Sequence, residues 1–225
     1  MKMASMSRFK PWLLPRSVME MLRDCRGIAA TEFAVIVPMM LVMFFGTVEF
    51  SSGVAVDRKI TIFARAIADI TSQASGTTQY ATITDIGLQN AFTAGIKILM
   101  PYLQSSSTSV NTTVSEIYVD STGVARISWS KAAVLSPTGT QATLVASGRN
   151  SGDVVTTIVP PSLLQKQTYL IFSEVSYVYV PAVGYVMVKT GVTLSDFAYS
   201  RPRQATCVVY GGKPALTTSG SCPLT

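Results

Sequence analysis

The sequence has 225 residues, a formal net charge of +6, 13% charged residues and no histidine, with a mean hydropathy of +0.37. Without histidine it lacks the commonest general base and the commonest transition-metal ligand, and its length suits one globular domain plus an anchor. The positive excess does not mark a nucleic-acid surface: Lys2, Arg8, Lys10, Arg16, Arg23 and Arg26 crowd the first 27 residues against only Glu20 and Asp24, and no basic patch interleaved with aromatics follows.

Residues 1–27 read as a basic leader in which Pro11 and Pro15 discourage a long helix. Ile28 to Phe50, IAATEFAVIVPMMLVMFFGTVEF, is then slightly longer than the roughly 20 residues a bilayer requires. It carries an acid near each end, Glu32 and Glu49, and Pro38 inside it is expected to kink the helix or loosen one turn. A cleaved secretory signal would close a shorter apolar run with a small-x-small site. Here the run leads directly into further helical pattern, which favours a retained anchor. The bases before the span put the N-terminus in the cytoplasm, membrane lipid around residues 28–50, and everything after Phe50 on the far side.

Val56, Ile60, Phe63, Ile67 and Ile70 continue an apolar stripe at helical spacing, with Asp57, Arg58, Arg65 and Asp69 between them. One helix from Ala29 to Gln73 would be roughly 68 Å long at 1.5 Å per residue. Its stripe either packs on the chain's own domain or meets neighbouring subunits. SGTT at 75–78 is a break, and Ile83 to Leu103 reads as a second helix with Ile86, Phe92, Ile96, Leu99 and Leu103 apolar and Pro101 near its end.

QSSSTSVNTT at 104–113 reads as a linker. After it the apolar period changes to two. Val114–Val119 and Val124–Trp129 flank the turn Asp120-Ser121-Thr122-Gly123, a hairpin. Val154–Val159 reads as a short strand ending at Pro160-Pro161, and Leu170–Val180 as a longer one whose antiparallel partner is Val183–Leu194. The predicted fold is α+β: a long N-terminal membrane-spanning helix continuing into a domain with a second helix and an antiparallel sheet. The expected divisions are a leader at 1–27, a transmembrane helix at 28–50, juxtamembrane and second helices at 51–103, a β-rich exported domain at 104–206, and a C-terminal tail at 207–225.

Cys207 and Cys222 bracket that Gly/Pro/Thr/Ser-rich tail. In an exported segment they read as a disulfide, the alternative being two free thiols. Tyr169, Phe172, Tyr177, Tyr179 and Tyr185 suit half-buried strands, and an adhesive or carbohydrate-binding face is the rival reading. No catalytic, metal or cofactor assignment emerges. The Gly-x-Ser-x-Gly elbow is absent, and Gly211-Gly212-Lys213-Pro214 lacks the first glycine and the Ser/Thr of a phosphate loop. The protein is expected not to be an enzyme.

The sharpest local signal is Arg26-Gly27-Ile28-Ala29-Ala30-Thr31-Glu32-Phe33. A glutamate this near the start of a membrane span is costly and needs a compensating reason. A basic leader, a glycine, a glutamate five residues on and a hydrophobic helix resemble the cleavage region of type IV prepilins of the long-leader kind. That resemblance implies processing between Gly27 and Ile28 by a prepilin peptidase, after which a new ammonium at Ile28 would be neutralised by Glu32 of an adjacent subunit.

The string continues through Phe33, Ala34 and Pro38 to Phe45-Gly46-Thr47-Val48-Glu49. It is similar to the TadE/TadG-like family of the tight-adherence (Flp) type IVb pilus assembly system, whose members share the Gly-x-x-x-x-Glu-Phe-Ala opening, the helix proline and the closing Gly-x-x-Glu. Asp57-Arg58, Ala64-Arg65, Ala68-Asp69, Glu174-Val175-Ser176-Tyr177 and Tyr199-Ser200-Arg201-Pro202-Arg203 extend the resemblance.

The resemblance implies a minor pilin or pseudopilin in the bacterial inner membrane, with a periplasmic C-terminal domain and a place at the assembly platform or in the extracellular pilus. Its partners would be other pilin or pseudopilin subunits, with Glu32 and Phe33 setting helix register. The alternative is an uncleaved single-span envelope scaffold or surface-binding protein.

Overall fold

The computed structural model describes residues 27–77, 79–103, 110–135, 141–181, 191–211 and 222. Its elements are α1 (Ile28–Ser72), β1 (Tyr80–Ile83), α2 (Asp85–Leu99), β2 (Val110–Val119), β3 (Ala125–Leu135), β4 (Thr143–Ala146), β5 (Thr168–Tyr179), β6 (Val192–Ser200) and β7 (Cys207–Tyr210). The class is α+β. The chain divides into two compact units, residues 1–47 and 48–225.

In the first unit the described residues are the start of α1, helical without a break through Pro38. Proline supplies no N–H, so one carbonyl of the preceding turn goes without its helical donor. The hydroxyls of Thr31 and Thr47 each donate to a carbonyl one turn back, at 2.8 Å in both cases. This is the arrangement that lets a hydroxyl sit on a helix without an outside partner.

The second unit is built on a five-stranded antiparallel sheet of order β4-β3-β2-β5-β6. Its inner face carries Val110, Val114, Ala133, Ile171, Val175 and Tyr177, which share one core with Val56, Ile60, Phe63 and Ile67 of α1 and Leu88, Phe92 and Leu99 of α2. The stripe on α1 therefore packs on the protein's own domain. Its last member is not Ile70, which is 43% exposed, but Thr71, fully buried. A step of four residues from Ile67 stays closer to the buried meridian than a step of three that would turn back past it.

Lys59 of α1 donates to the carbonyls of Ile98 and Met100 at 2.8 and 2.9 Å, satisfying orphan acceptors at the end of α2. The α2 helix packs against β3 and β4. Its Gln89 donates to the Ala142 carbonyl at 2.8 Å, and Thr93 accepts from the Ala142 amide at 3.0 Å.

A bulge interrupts the β2–β3 ladder: Glu116 pairs with Trp129, but Ile117 pairs with Ile127. The extra residue, Ser128, lets Trp129 and Ile127 point to opposite faces although they lie two apart. On the outer face Ile117, Val119, Ala125, Ile127, Leu170 and Phe172 form a second core under Val155 and Val159. Val154–Val159 is thus not a strand. It makes one isolated bridge, Arg126 to Val154, and otherwise turns, so that Val155 and Val159 cap the sheet.

β1 and β7 form a separate two-stranded parallel sheet. Cys207 of β7 is disulfide-bonded to Cys222, with Cα atoms 5.9 Å apart, inside a cluster that includes Tyr118, Tyr169 and Val209. The second helix is shorter than the sequence suggests, because Tyr80–Ile83 is strand and Thr84 receives the Gly87 amide on its hydroxyl, starting the helix one residue later. The expected linker gives way to strand from Val110 onward. The partner of β5 is Val192–Ser200, whereas most of the expected partner, at 183–190, and with it Tyr185, lies outside the described residues.

Candidate functional site

The residues singled out at the membrane helix are all on α1 or at its start. Gly27 is exposed, and a side chain built there would meet nothing within 4 Å. Ile28 is exposed as well, and Glu32 stands on the open helix surface beside Thr31, Val35 and Ile36, lining a shallow recess with them. Phe33, Met39 and Phe44 are 69, 70 and 61% exposed. In water this run of apolar surface would be strongly unfavourable. Among the described residues α1 alone is long and apolar enough to cross a membrane. Gly46 is half-buried on the same helix.

Glu49 behaves differently from Glu32. It is only 3% exposed and lies in the second unit beside Tyr179 of β5. Burial first, and then the Glu49 carboxylate, push the Tyr179 hydroxyl above its ordinary pKa, while a hydrogen bond with Ser52 opposes them. The two glutamates that bracket the apolar run are therefore not equivalent: one is presented outward and the other is held inside the fold.

The more distant strings converge. Asp69 forms an ion pair with Arg203, and the Arg203 amide donates to the Ser72 carbonyl at 2.9 Å. Thr61 donates to Asp196 at 2.5 Å, tying α1 to β6. Glu174 pairs across the sheet with Phe197 and is held by Arg149 through two hydrogen bonds, the Nη2–Oε1 one 2.9 Å long. Tyr169, Phe172, Tyr177 and Tyr179 are all buried, so they are sheet core and not a binding face.

Sequence reasoning missed Glu116. This carboxyl is buried at the bulge, where it accepts the Val208 amide at 2.5 Å, while Trp129 donates its indole N–H to the Val208 carbonyl at 2.5 Å. Together they cap both main-chain groups of one β7 residue and dock the small sheet on the large one. Burial pushes the Glu116 carboxyl up to about 8. A single acid in an alternating strand gives no sign of this, since its partners Ser128, Trp129 and Val208 come from β3 and β7, further along the chain.

An exposed apolar helix, a buried stripe after it and a sheet place the chain in a class: an α+β protein with, among the described residues, one helix suited to a membrane, consistent with a single-pass membrane protein. Within that class the chain carries a TadE-like segment, for the family model described as TadE-like protein matches residues 27–69. The match associates the chain with assembly of the Tad pilus. No curated protein matches the chain, and no solved structure does.

Proposed function

We propose that this chain is a minor pilin or pseudopilin-like component of Tad (Flp) pilus biogenesis, held in the bacterial inner membrane by residues 28–50 with its C-terminal domain in the periplasm. The observation that carries this reading is the TadE-like match itself, which opens on Gly27 and runs through Glu32, Pro38 and Glu49 to Asp69. The exposure of Glu32 supports a role between molecules. A carboxylate left on the outside of an apolar helix is paired most cheaply in lipid by a cation, and the ammonium of a processed Ile28 on a neighbouring subunit is one.

In this proposal a prepilin peptidase cuts after Gly27, and the helix is then free to pack with pilin helices at the assembly platform or in the fibre. Glu32 and Phe33 set register, and the role is mechanical and not catalytic. Mass spectrometry of the protein from native membranes should find its N-terminus at Ile28, and Glu32→Ala should reduce piliation at least several-fold. A retained 1–27 leader together with normal piliation in Glu32→Ala would favour an uncleaved envelope scaffold.

A further inference from the structure

Among the described residues, the outer face of the five-stranded sheet is covered at one end only. Val155 and Val159, with Leu163 and Leu164 packed against them, close over Ile117, Ile127, Leu170 and Phe172. Beyond that cover the strand register lays out two cross-strand rows, Thr113–Glu174–Phe197 and Asn111–Ser176–Ser195. These six residues, with Val175 and Asp196, line a pocket of about 230 Å³.

We infer that this pocket binds one neutral pyranose ring of a saccharide. Its floor offers hydroxyls from Thr113, Ser176 and Ser195, an amide from Asn111 and carboxylate oxygens from Glu174. Such groups can both donate to and accept from a polyol. Phe197 supplies an aromatic side and is 57% exposed. Its ring is fixed edge-on to Tyr199, with centroids 5.8 Å apart, and lies 6.1 Å from Phe172. A ring held in this way gives the polarised C–H face of a sugar a surface to stack on, at little entropic cost.

Charge narrows the ligand class. Glu174 is neutralised by Arg149, whose guanidinium also lies 5.4 Å from the Phe172 ring centroid. The other nearby acid, Asp196, is engaged by the Thr61 hydroxyl at 2.5 Å and by the Phe197 amide at 2.8 Å. None of the described lining residues is a cation, so none of them recruits an anion. The volume lies below the roughly 300–1,000 Å³ of sites for drug-sized molecules, which suits a single sugar ring.

The test is saturation-transfer NMR on the full chain in lauryldimethylamine oxide micelles, because a glycoside detergent would compete for the pocket. The probes are methyl β-D-galactopyranoside, methyl β-D-glucopyranoside, methyl α-D-mannopyranoside and, as an anionic control, D-galacturonate. At least one neutral glycoside should show transfer concentrated on the C–H protons of one ring face. Phe197→Ala and the pocket-filling Ser176→Arg should each weaken binding roughly tenfold, and Phe197→Tyr should retain it. Absence of transfer to every neutral glycoside overturns the inference. So does transfer that persists in both Phe197→Ala and Ser176→Arg, or a stronger response to galacturonate than to the neutral sugars.

Discussion

Glu32, Glu49 and Glu116 share one side chain and sit in three unlike surroundings. Glu32 is exposed on apolar helix, Glu49 is packed beside Tyr179, and Glu116 is enclosed between two sheets with Val208, Ser128 and Trp129 as partners. For Glu116 desolvation outweighs all three hydrogen bonds, which is why its carboxyl moves up to about 8 and not down. The folded-state pKa thus lies above the ordinary value of 4.5, so the native protein holds this proton more tightly than the unfolded chain does. The stability tied to it is complete below about pH 4.5 and is lost as pH rises through about 8. Between those limits unfolding free energy should fall by up to about 1.4 kcal/mol per pH unit from this group. Urea melts of the wild type and of Glu116→Gln at pH 5, 7 and 9 check it. Glutamine keeps an acceptor for the Val208 amide and cannot ionise, so its profile should be flatter. Parallel profiles would mean that Glu116 is not the group responsible.

At the scale of elements, α1 and α2 meet where Phe63 lies against Gly95, and a β-carbon built on Gly95 would overlap the Phe63 ring. Alanine in mid-helix is better than glycine by about 1 kcal/mol. Overpacking a buried ring costs about 1–3 kcal/mol, and Phe63 is fully buried with nowhere to swing. The steric term should win, so Gly95→Ala is expected to destabilise by up to about 2 kcal/mol. Adding Phe63→Leu should recover part of that loss in a double-mutant cycle. Thermal melts of the two single variants and the double variant decide this, and simple additivity would show that the ring and the glycine are not coupled.

The elements that were legible in the sequence are those whose own residues determine them. The α1 stripe from Val56 to Ile67, the turn closed by Asp120 through the Thr122 and Val124 amides at 2.9 Å each, and the alternation of β5 all carry their signal locally. β1, β4 and β7 have four residues each. So short a strand shows almost no period, and β1 and β7 exist because they pair with each other across more than half the chain. Val154–Val159 was misleading for the opposite reason: an apolar run is as suitable for covering a sheet as for joining one. The membrane segment and its glutamate were likewise legible, whereas the pocket around Glu174, Ser176 and Phe197 was not. Its residues come from three strands and are adjacent only in register.

For the whole molecule the decisive fact is where the core begins. Every residue of the three hydrophobic clusters lies at Val56 or beyond, while the apolar side chains from Phe33 to Phe44 are mainly on the surface. Hydrophobic burial is the main favourable term in folding, and the described residues of the first unit, 27–47, contribute nothing to those clusters. Removing residues 1–47 should leave the second unit intact. Residues 48–225, secreted into an oxidising compartment so that Cys207 and Cys222 can pair, should therefore be soluble without detergent. This unit should unfold cooperatively, with a Tm within a few degrees of the full chain's in micelles, a change of under about 1 kcal/mol. The full chain should require detergent or lipid, because its exposed apolar run far exceeds the patch a soluble monomer tolerates. Size-exclusion chromatography and thermal melts of both forms check this together. Aggregation of 48–225 with non-cooperative melting would place residues 1–47 among the determinants of the fold, whereas a soluble, cooperative unit separates what anchors this protein from what folds it.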